Sequence, residues 1–497
     1  MKRRLIGAGA EAPEQGSGER ERVMYRKPLV AALLAGCAFI IAAPATAAAQ
    51  ETPAAEQPEP TEPDTSDAAA DAAIQGAAQA DDLQARIELL QAQVEALQEA
   101  LEGVKAAQVK TTPSWKGAPQ LLDKDAGWSF KPRGRLMYDF ANVDGPDSFT
   151  DRGMGFSNEI RRARLGVEGT IPGGFGYKFE MDFATAGAGT GTDLEFADAY
   201  LLYADGPLEL IVGQHNNFQS LDELTSSVHS SFIERAAFTD AFNFERRIGV
   251  SAQYSKGAFL AQGGVFTDSI GDLNAVGDDN NSYGFDTRLV YAPMMGSNQL
   301  HFGGSFHWRD IQDAATSVRY RQRPAVHTTD VRFVDTGNIP GAEKETSYGL
   351  EAAGIFGRLH LASEAYWQRV SRSGFDDPTF FGAYVEGGYF FTGESRGYKA
   401  GKFDRVKVKK PLGSEGGWGS LGLNLRWDYL DLIDAGIVGG KQNAYQASLN
   451  WKPMDYVLFG LNYAHIVYDD AIDVDPTIGV DRNYSVDMIG LRSQIDF

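Results

Sequence analysis

Three groupings of basic side chains are the residues best placed to do chemistry. Arg319, Arg321 and Arg323 alternate in VRYRQR. An extended backbone sets such a ladder on one face, about 7 Å per step. Arg396, Lys399, Lys402, Arg405, Lys407, Lys409 and Lys410 crowd a second segment, and Arg133, Arg135, Arg162, Arg164, Arg246, Arg247 and Arg426 lie in or beside stretches of alternating polarity. Such groups handle ions rather than make bonds: an anion that sheds water needs a new cationic partner at each step of a path. Arginine suits phosphate because its planar fork donates two parallel hydrogen bonds. The same side chains can instead pair with wall acids for support, and Lys178, near Glu180 and Asp182, reads that way.

Other chemistries find little footing. The seven histidines (His215, His229, His301, His307, His327, His360 and His465) sit in no GxSxG or HExxH setting. His229, beside Ser230 and Ser231, reads as a polar lining residue. No phosphate-cradling P-loop and no basic arm for nucleic acid is present, so the chain reads as neither an enzyme nor a cofactor protein. The acid-rich runs Gly271 to Asn281 and Asp469 to Asp481 match no calcium-loop spacing and read as solvated loops.

The elements that would position the basic groups are strands. Phe130, Gly134, Leu136, Tyr138 and Phe140 oppose Lys131, Arg133, Arg135 and Asp139; Phe175, Tyr177, Phe179, Met181 and Phe183 oppose Lys178, Glu180 and Asp182. A period of two with one apolar and one polar face suits a strand between lipid and a wet lumen. Similar stretches recur near 158–170, 194–204, 207–214, 246–255, 258–267, 283–292, 298–309, 346–356, 358–371, 379–391, 417–431, 442–452, 455–468 and 484–497. The expected fold is therefore all-β: a sixteen-stranded antiparallel transmembrane barrel over 127–497. Its closing strand ends on Phe497, with Ile489, Leu491 and Ile495 on the lipid parity; Asp487 breaks that pattern and marks headgroup level or a bulge.

Counting strands assigns the connections. Pro172-Gly173, Asp205-Gly206-Pro207, Lys256-Gly257, Gly357 and Lys452-Pro453 fall on the periplasmic side, and the longer 141–157, 185–193, 215–245, 268–282 and 310–345 fall outside. Segment 392–416 is long yet lands on the periplasmic side, which points to a turn folded into the pore.

Ahead of the barrel, residues 1–23 read as an over-extended start before Met24, and 24–49 as a signal peptide with Arg26, Lys27 and the apolar run Leu29 to Ala43. Cleavage after Ala47 or Ala49 removes Cys37, the only cysteine, and with it disulfide or thiol chemistry. Residues 50–80 form a linker rich in Pro, Ala and acids. Leu83, Ile87, Leu90, Val94, Leu97, Leu101 and Val104 make a heptad, expected to be a short self-associating coiled coil over 81–108 in the periplasm.

Three segments resemble the phosphate-selective porin O/P family of Gram-negative outer membranes: Val212 to Val250 (VGQHNNFQSLDELTSS, then FIERAAFTDAFNFERRIGV), Gly387 to Pro411 (GGYFFTGESRGYKAGKFDRVKVKKP), and the close with GLRSQIDF. The resemblance implies a homotrimer of sixteen-stranded barrels, narrowed by inward-folded loops and a periplasmic turn whose basic residues bind phosphate or other anions. It also implies lipid and lipopolysaccharide as surroundings, and the outer-membrane assembly machinery as a reader of Phe497. The resemblance also implies a lysine just after the Gly-Gln, in a GQ-x-K pattern, where this chain reads Gly213-Gln214-His215-Asn216-Asn217. Net charge does not favour anions: the chain carries −21, and beyond residue 110 a balance of −14 remains from 36 basic and 50 acidic residues. The field at a constriction outweighs the sum. A general or cation-preferring pore, or a plugged structural or adhesive barrel, are the rival readings.

Overall fold

The computed structural model describes residues 68–109, 114–115, 117–123, 125–146, 154–184, 194–273, 281–312, 315, 317–473 and 482–497. The segments read as an over-extended start and a signal peptide, most of the segment read as a linker, and most of both acid-rich runs lie outside the described residues.

Helix α1 covers Ala68–Val109 and so begins well before the expected residue 81. The linker reading fails over 68–80, where a run of alanines, the best helix formers, extends the helix. Its heptad residues Leu83, Ile87, Leu90, Val94, Leu97 and Leu101 are all exposed. No described helix is long and apolar enough to cross a membrane.

Sixteen antiparallel spans follow: β1 Trp128–Asp144, β2 Gly155–Ile171, β3 Phe175–Asp182, β4 Glu195–Asp205, β5 Leu208–Asn216, β6 Arg246–Lys256, β7 Phe259–Phe266, β8 Tyr283–Tyr291, β9 Asn298–Asp310, β10 Ala342–Phe356, β11 Leu359–Arg372, β12 Thr379–Phe390, β13 Ser420–Asp434, β14 Ile437–Met454, β15 Val457–Asp469 and β16 Tyr484–Asp496. Each pairs with the next, and β16 returns to β1 from Asp487↔Asp144 to Asp496↔Arg135. Phe497 extends this closure: its N–H donates to Gly134 O at 2.9 Å, and Gly134 N–H donates back to Phe497 O at 3.1 Å. A closed ring leaves no unpaired edge, which a spanning sheet in lipid requires.

Exposure follows the parity of the sequence. Leu136, Phe179, Val250, Leu289, Leu350, Leu425, Leu461, Ile489, Leu491 and Ile495 face outward, while Asp139, Arg164, Glu180, Glu351, Arg426, Arg492 and Gln494 are buried inside. Asp487 sits near the outer end of β16 on the outward face, where it accepts from Tyr463 Oη at 2.6 Å and contacts His465 Nδ1 at 2.9 Å. That girdle position is why it breaks the apolar pattern.

The lumen is not empty. The connection from β5 to β6 (217–245) packs Leu221, Phe238 and Phe242 inside, and the Phe238 ring stacks on Tyr366 at 5.3 Å. It contains two short helices, α2 Leu221–Leu224 and α3 Ala237–Ala241. Their first backbone N–H groups have no intrahelical acceptors. Glu364 of β11 accepts from Leu221 and Asp222 at 2.8 and 2.7 Å, and Asp428 of β13 accepts from Ala237 at 2.9 Å. The inserted loop is thus seated on the wall formed by β11–β16.

Candidate functional site

Two cavities follow the opposite, unfilled side of the lumen. One, of about 520 Å³, includes Arg161, Arg162, Glu223, Glu234, Arg235, Arg246, Arg323 and His327 in its lining. The other, of about 600 Å³, includes Arg133, Arg135, Arg162, Arg164, Lys178, Arg235, Arg246, Lys399 and Lys402. Arg162, Arg235 and Arg246 line both, so they mark the neck where the outer and periplasmic halves meet.

Local backbone geometry aims two consecutive arginines at this neck. The β1–β2 register runs Met137↔Arg162 and then Tyr138↔Ile160, which leaves Arg161 as an extra residue on β2. Such a bulge lets neighbours share a face. Ile160 and Leu165 accordingly both face outward although their parities differ, and Arg161 and Arg162 both reach the lumen.

Most lumen cations are neutralised. Arg133 pairs with Glu168 at 2.7 Å, Arg135 with Glu180 at 3.2 Å, Arg164 with Asp182 at 2.7 Å, and Arg246 with Asp198 at 2.8 Å. Lys178 joins Asp198 at 2.5 Å, as a wall residue should. Arg161 meets Glu234 at 2.7 Å and Arg235 meets Glu223 at 3.0 Å. Burial pushes Glu234 up, but the charge and hydrogen bond of Arg161, joined by Arg492 and Arg162, outweigh it and hold this carboxyl well below the usual range. Glu223 goes the other way: burial raises it despite Arg235 and Arg246. Arg162 is different. Among the described residues it has no carboxylate partner, and its guanidinium rests on Met137 Sδ at 4.0 Å.

The long periplasmic connection (391–419) does enter the barrel. Gly397–Lys399 and Lys402–Asp404 form a hairpin whose two-residue tip, Ala400-Gly401, has φ of 49° and 73°. Positive φ at both positions is the conformation of a tight primed hairpin turn. Lys399 stands directly opposite Lys402, both are exposed to the periplasmic cavity, and neither has a carboxylate partner among the described residues. Like charges directly across a strand pair repel. A bound anion between them would relieve that.

The profile of the family "Phosphate-selective porin O and P" matches residues 130–497. The chain belongs to this family. It is an outer-membrane porin. An uncharacterized protein of Caulobacter vibrioides is 48% identical over 402 residues, 79% of this chain and 78% of that protein. Porin O of Pseudomonas aeruginosa is 27% identical over 383 residues, 70% of this chain and 85% of its own length. Among solved structures, an anion-selective porin from Comamonas acidovorans superposes with a TM-score of 0.46 at 12% identity, over 74% of this chain and all of that one.

The remaining basic residues of this porin are scattered. Arg319 pairs with Asp335 and Arg323 with Asp330 at 3.1 Å, while Arg321 is exposed. The ladder does not act as one face on the pore: only Arg323 lines either cavity of the neck. Arg247 pairs with Glu245 at 2.7 Å in a side recess. Arg426 is not a pore-lining residue. It lies beneath the inserted loop, bonded to Glu386 at 2.6 Å and stacked over Phe232, because the loop covers the β13 wall. Arg396 is buried against Phe403 and donates to His229 O, Arg405 pairs with Asp496, and Lys407, Lys409 and Lys410 are exposed.

His215 bonds Ser251 at 3.0 Å inside a cluster of Tyr200, Phe218 and Phe266. Sequence reasoning missed Arg161, Arg235 and Arg288. The parity switch between Ile160 and Leu165 was the available signal for Arg161.

Proposed function

We propose that this porin passes small anions, phosphate among them, down their gradient. The observation that carries the reading is Arg162: a guanidinium with no carboxylate partner among the described residues, on the wall shared by both cavities. Lys399 and Lys402 supply the next cations on the periplasmic side, so an ion leaving the neck finds a further partner, as stepwise conduction needs. The paired arginines add hydrogen-bond donors without adding net charge, which reconciles an acidic chain with an anion path. The exposed heptad of α1 supports self-association in the periplasm, and a homotrimer is the assembly proposed.

Planar-bilayer recording in a KCl gradient tests this. An anion-selective reversal potential, with chloride current blocked by added phosphate, supports the reading. A cation-selective potential refutes it in favour of a general or cation-preferring pore, and absence of current steps favours a plugged barrel.

A further inference from the structure

The hairpin inside the periplasmic half of the lumen is held by a buried cluster contributed by four adjacent strands. Arg288 of β8 is 1% exposed. Its Nε and Nη2 donate to Glu351 of β10 at 2.8 and 2.6 Å, and its Nη1 donates to Gln262 of β7 at 3.0 Å. The second N–H of Nη2 reaches across to the hairpin tip, where it donates to Gly401 O at 2.8 Å. His301 of β9 bridges the same pair: one ring nitrogen contacts Glu351 at 3.0 Å and the other contacts Tyr398 Oη at 2.7 Å. The tip fits closely, since a Cβ on Gly401 would stand 2.5 Å from Leu260 Cδ2.

The far side of the hairpin is tied to different elements. His229, in the inserted loop, contacts Asp404 at 3.3 Å, and Arg396 donates to the His229 carbonyl. Arg405 pairs with Asp496 of β16 and stacks over Tyr456 at 4.6 Å. The hairpin therefore crosses the lumen from the β7–β10 wall to the inserted loop and β16.

We infer that Arg288, Glu351 and His301 form a latch for this hairpin, and that the latch sets the width of the periplasmic half of the pore. A buried ion pair between two wall strands needs no third partner, yet here Arg288 and His301 each spend a hydrogen bond on the hairpin. Arg288 and His301 are positioning residues: they act on permeating ions through the placement of Lys399 and Lys402. The inference rests on the chain being a channel and is independent of which ion the channel prefers.

Deleting Arg288 alone would leave Glu351 a buried charge with only His301 beside it. The test therefore uses the double variant Arg288→Met/Glu351→Leu, which removes the pair together, and the milder Tyr398→Phe. Each is combined with Ala400→Cys in a Cys37→Ser background and recorded in bilayers with thiosulfonate reagents of both charges. With the latch intact, modification of Ala400→Cys lowers single-channel conductance, because the tip lies in the lumen. With the latch removed, unmodified conductance rises, modification from the periplasmic side is faster, and the block it causes is lost. Tyr398→Phe falls between. Equal conductance, labelling rate and block in all backgrounds would overturn the latch. A cation-preferring pore would exchange the order of the two reagents and leave the difference between backgrounds intact, so the two readings fail separately.

Discussion

Replacing Arg162 by Gln removes one unit of charge from the neck and breaks none of the ion pairs of the wall, since Arg162 is in salt-bridge contact with no carboxylate among the described residues, although its charge is felt by Glu234. An anion passing about 4 Å from the guanidinium gains roughly 1 kcal/mol in bulk-like water and roughly 4 kcal/mol at an effective dielectric of about 20. The neck is lined on both sides by water-accessible cavity, so the lower part of this range applies: about 1–2 kcal/mol, or about a 5- to 30-fold change in anion occupancy. The assay is the reversal potential in a KCl gradient at low salt, where the screening length of about 10 Å at 0.1 M does not hide a single charge. Arg162→Gln should shift the potential strongly toward the cation direction. Arg426→Gln, which removes an equal charge beneath the inserted loop, should change selectivity far less while lowering the thermal stability of the barrel, because Glu386 loses its partner. An unchanged reversal potential in Arg162→Gln, or an equal shift in both variants, would show that the unpaired guanidinium does not set selectivity.

Burial raises Glu223 above the ordinary carboxylate value of 4.5, so acidification neutralises it while Glu234 stays charged. Lowering the pH through that raised value frees the charge of Arg235 and should increase anion preference; Glu223→Gln should show the increased preference already at neutral pH and a flatter profile. Glu364→Ala takes the acceptors from the Leu221 and Asp222 amides at a cost of about 1–3 kcal/mol for each amide left unsatisfied. The inserted loop should then loosen, seen as flickering single-channel current in an otherwise folded barrel; steady current at the original level would argue against that anchor. Removing Phe497 deletes both terminal hydrogen bonds to Gly134, and less protein should reach the heat-resistant folded form on gels. Undiminished folded yield would dissociate the last residue from closure.

Much of the barrel is written in local pattern. Every strand stretch read from alternation has a counterpart among the sixteen spans, since the side-chain period of two needs only neighbours along the chain. The inward turn was legible as well, because 392–416 is long on the side where connections are short. The site was less legible. Arg133, Arg135, Arg162, Arg164, Lys399 and Lys402 do line the lumen, but nothing in their spacing separates Arg162 from its neutralised neighbours. The start of α1 was misplaced because an alanine run among acids reads equally as linker or helix.

Composition and alternation alone determined a sixteen-stranded wall and its anomalously long turn, because lipid on one face and water on the other act on each residue in turn. Tertiary structure decided which charges find a carboxylate partner. Arg492 finds Asp139 at 2.6 Å across the seam between β16 and β1, a partnership that exists only once the ring has closed, and Arg426 finds Glu386 directly across from it on β12, under a loop from β5 that covers the pair. Arg162 is left over from that pairing. A bulge, an inserted loop and the closed ring together leave its charge unmatched at the neck, and Coulomb forces between residues far apart in sequence depend on distances that no local pattern contains.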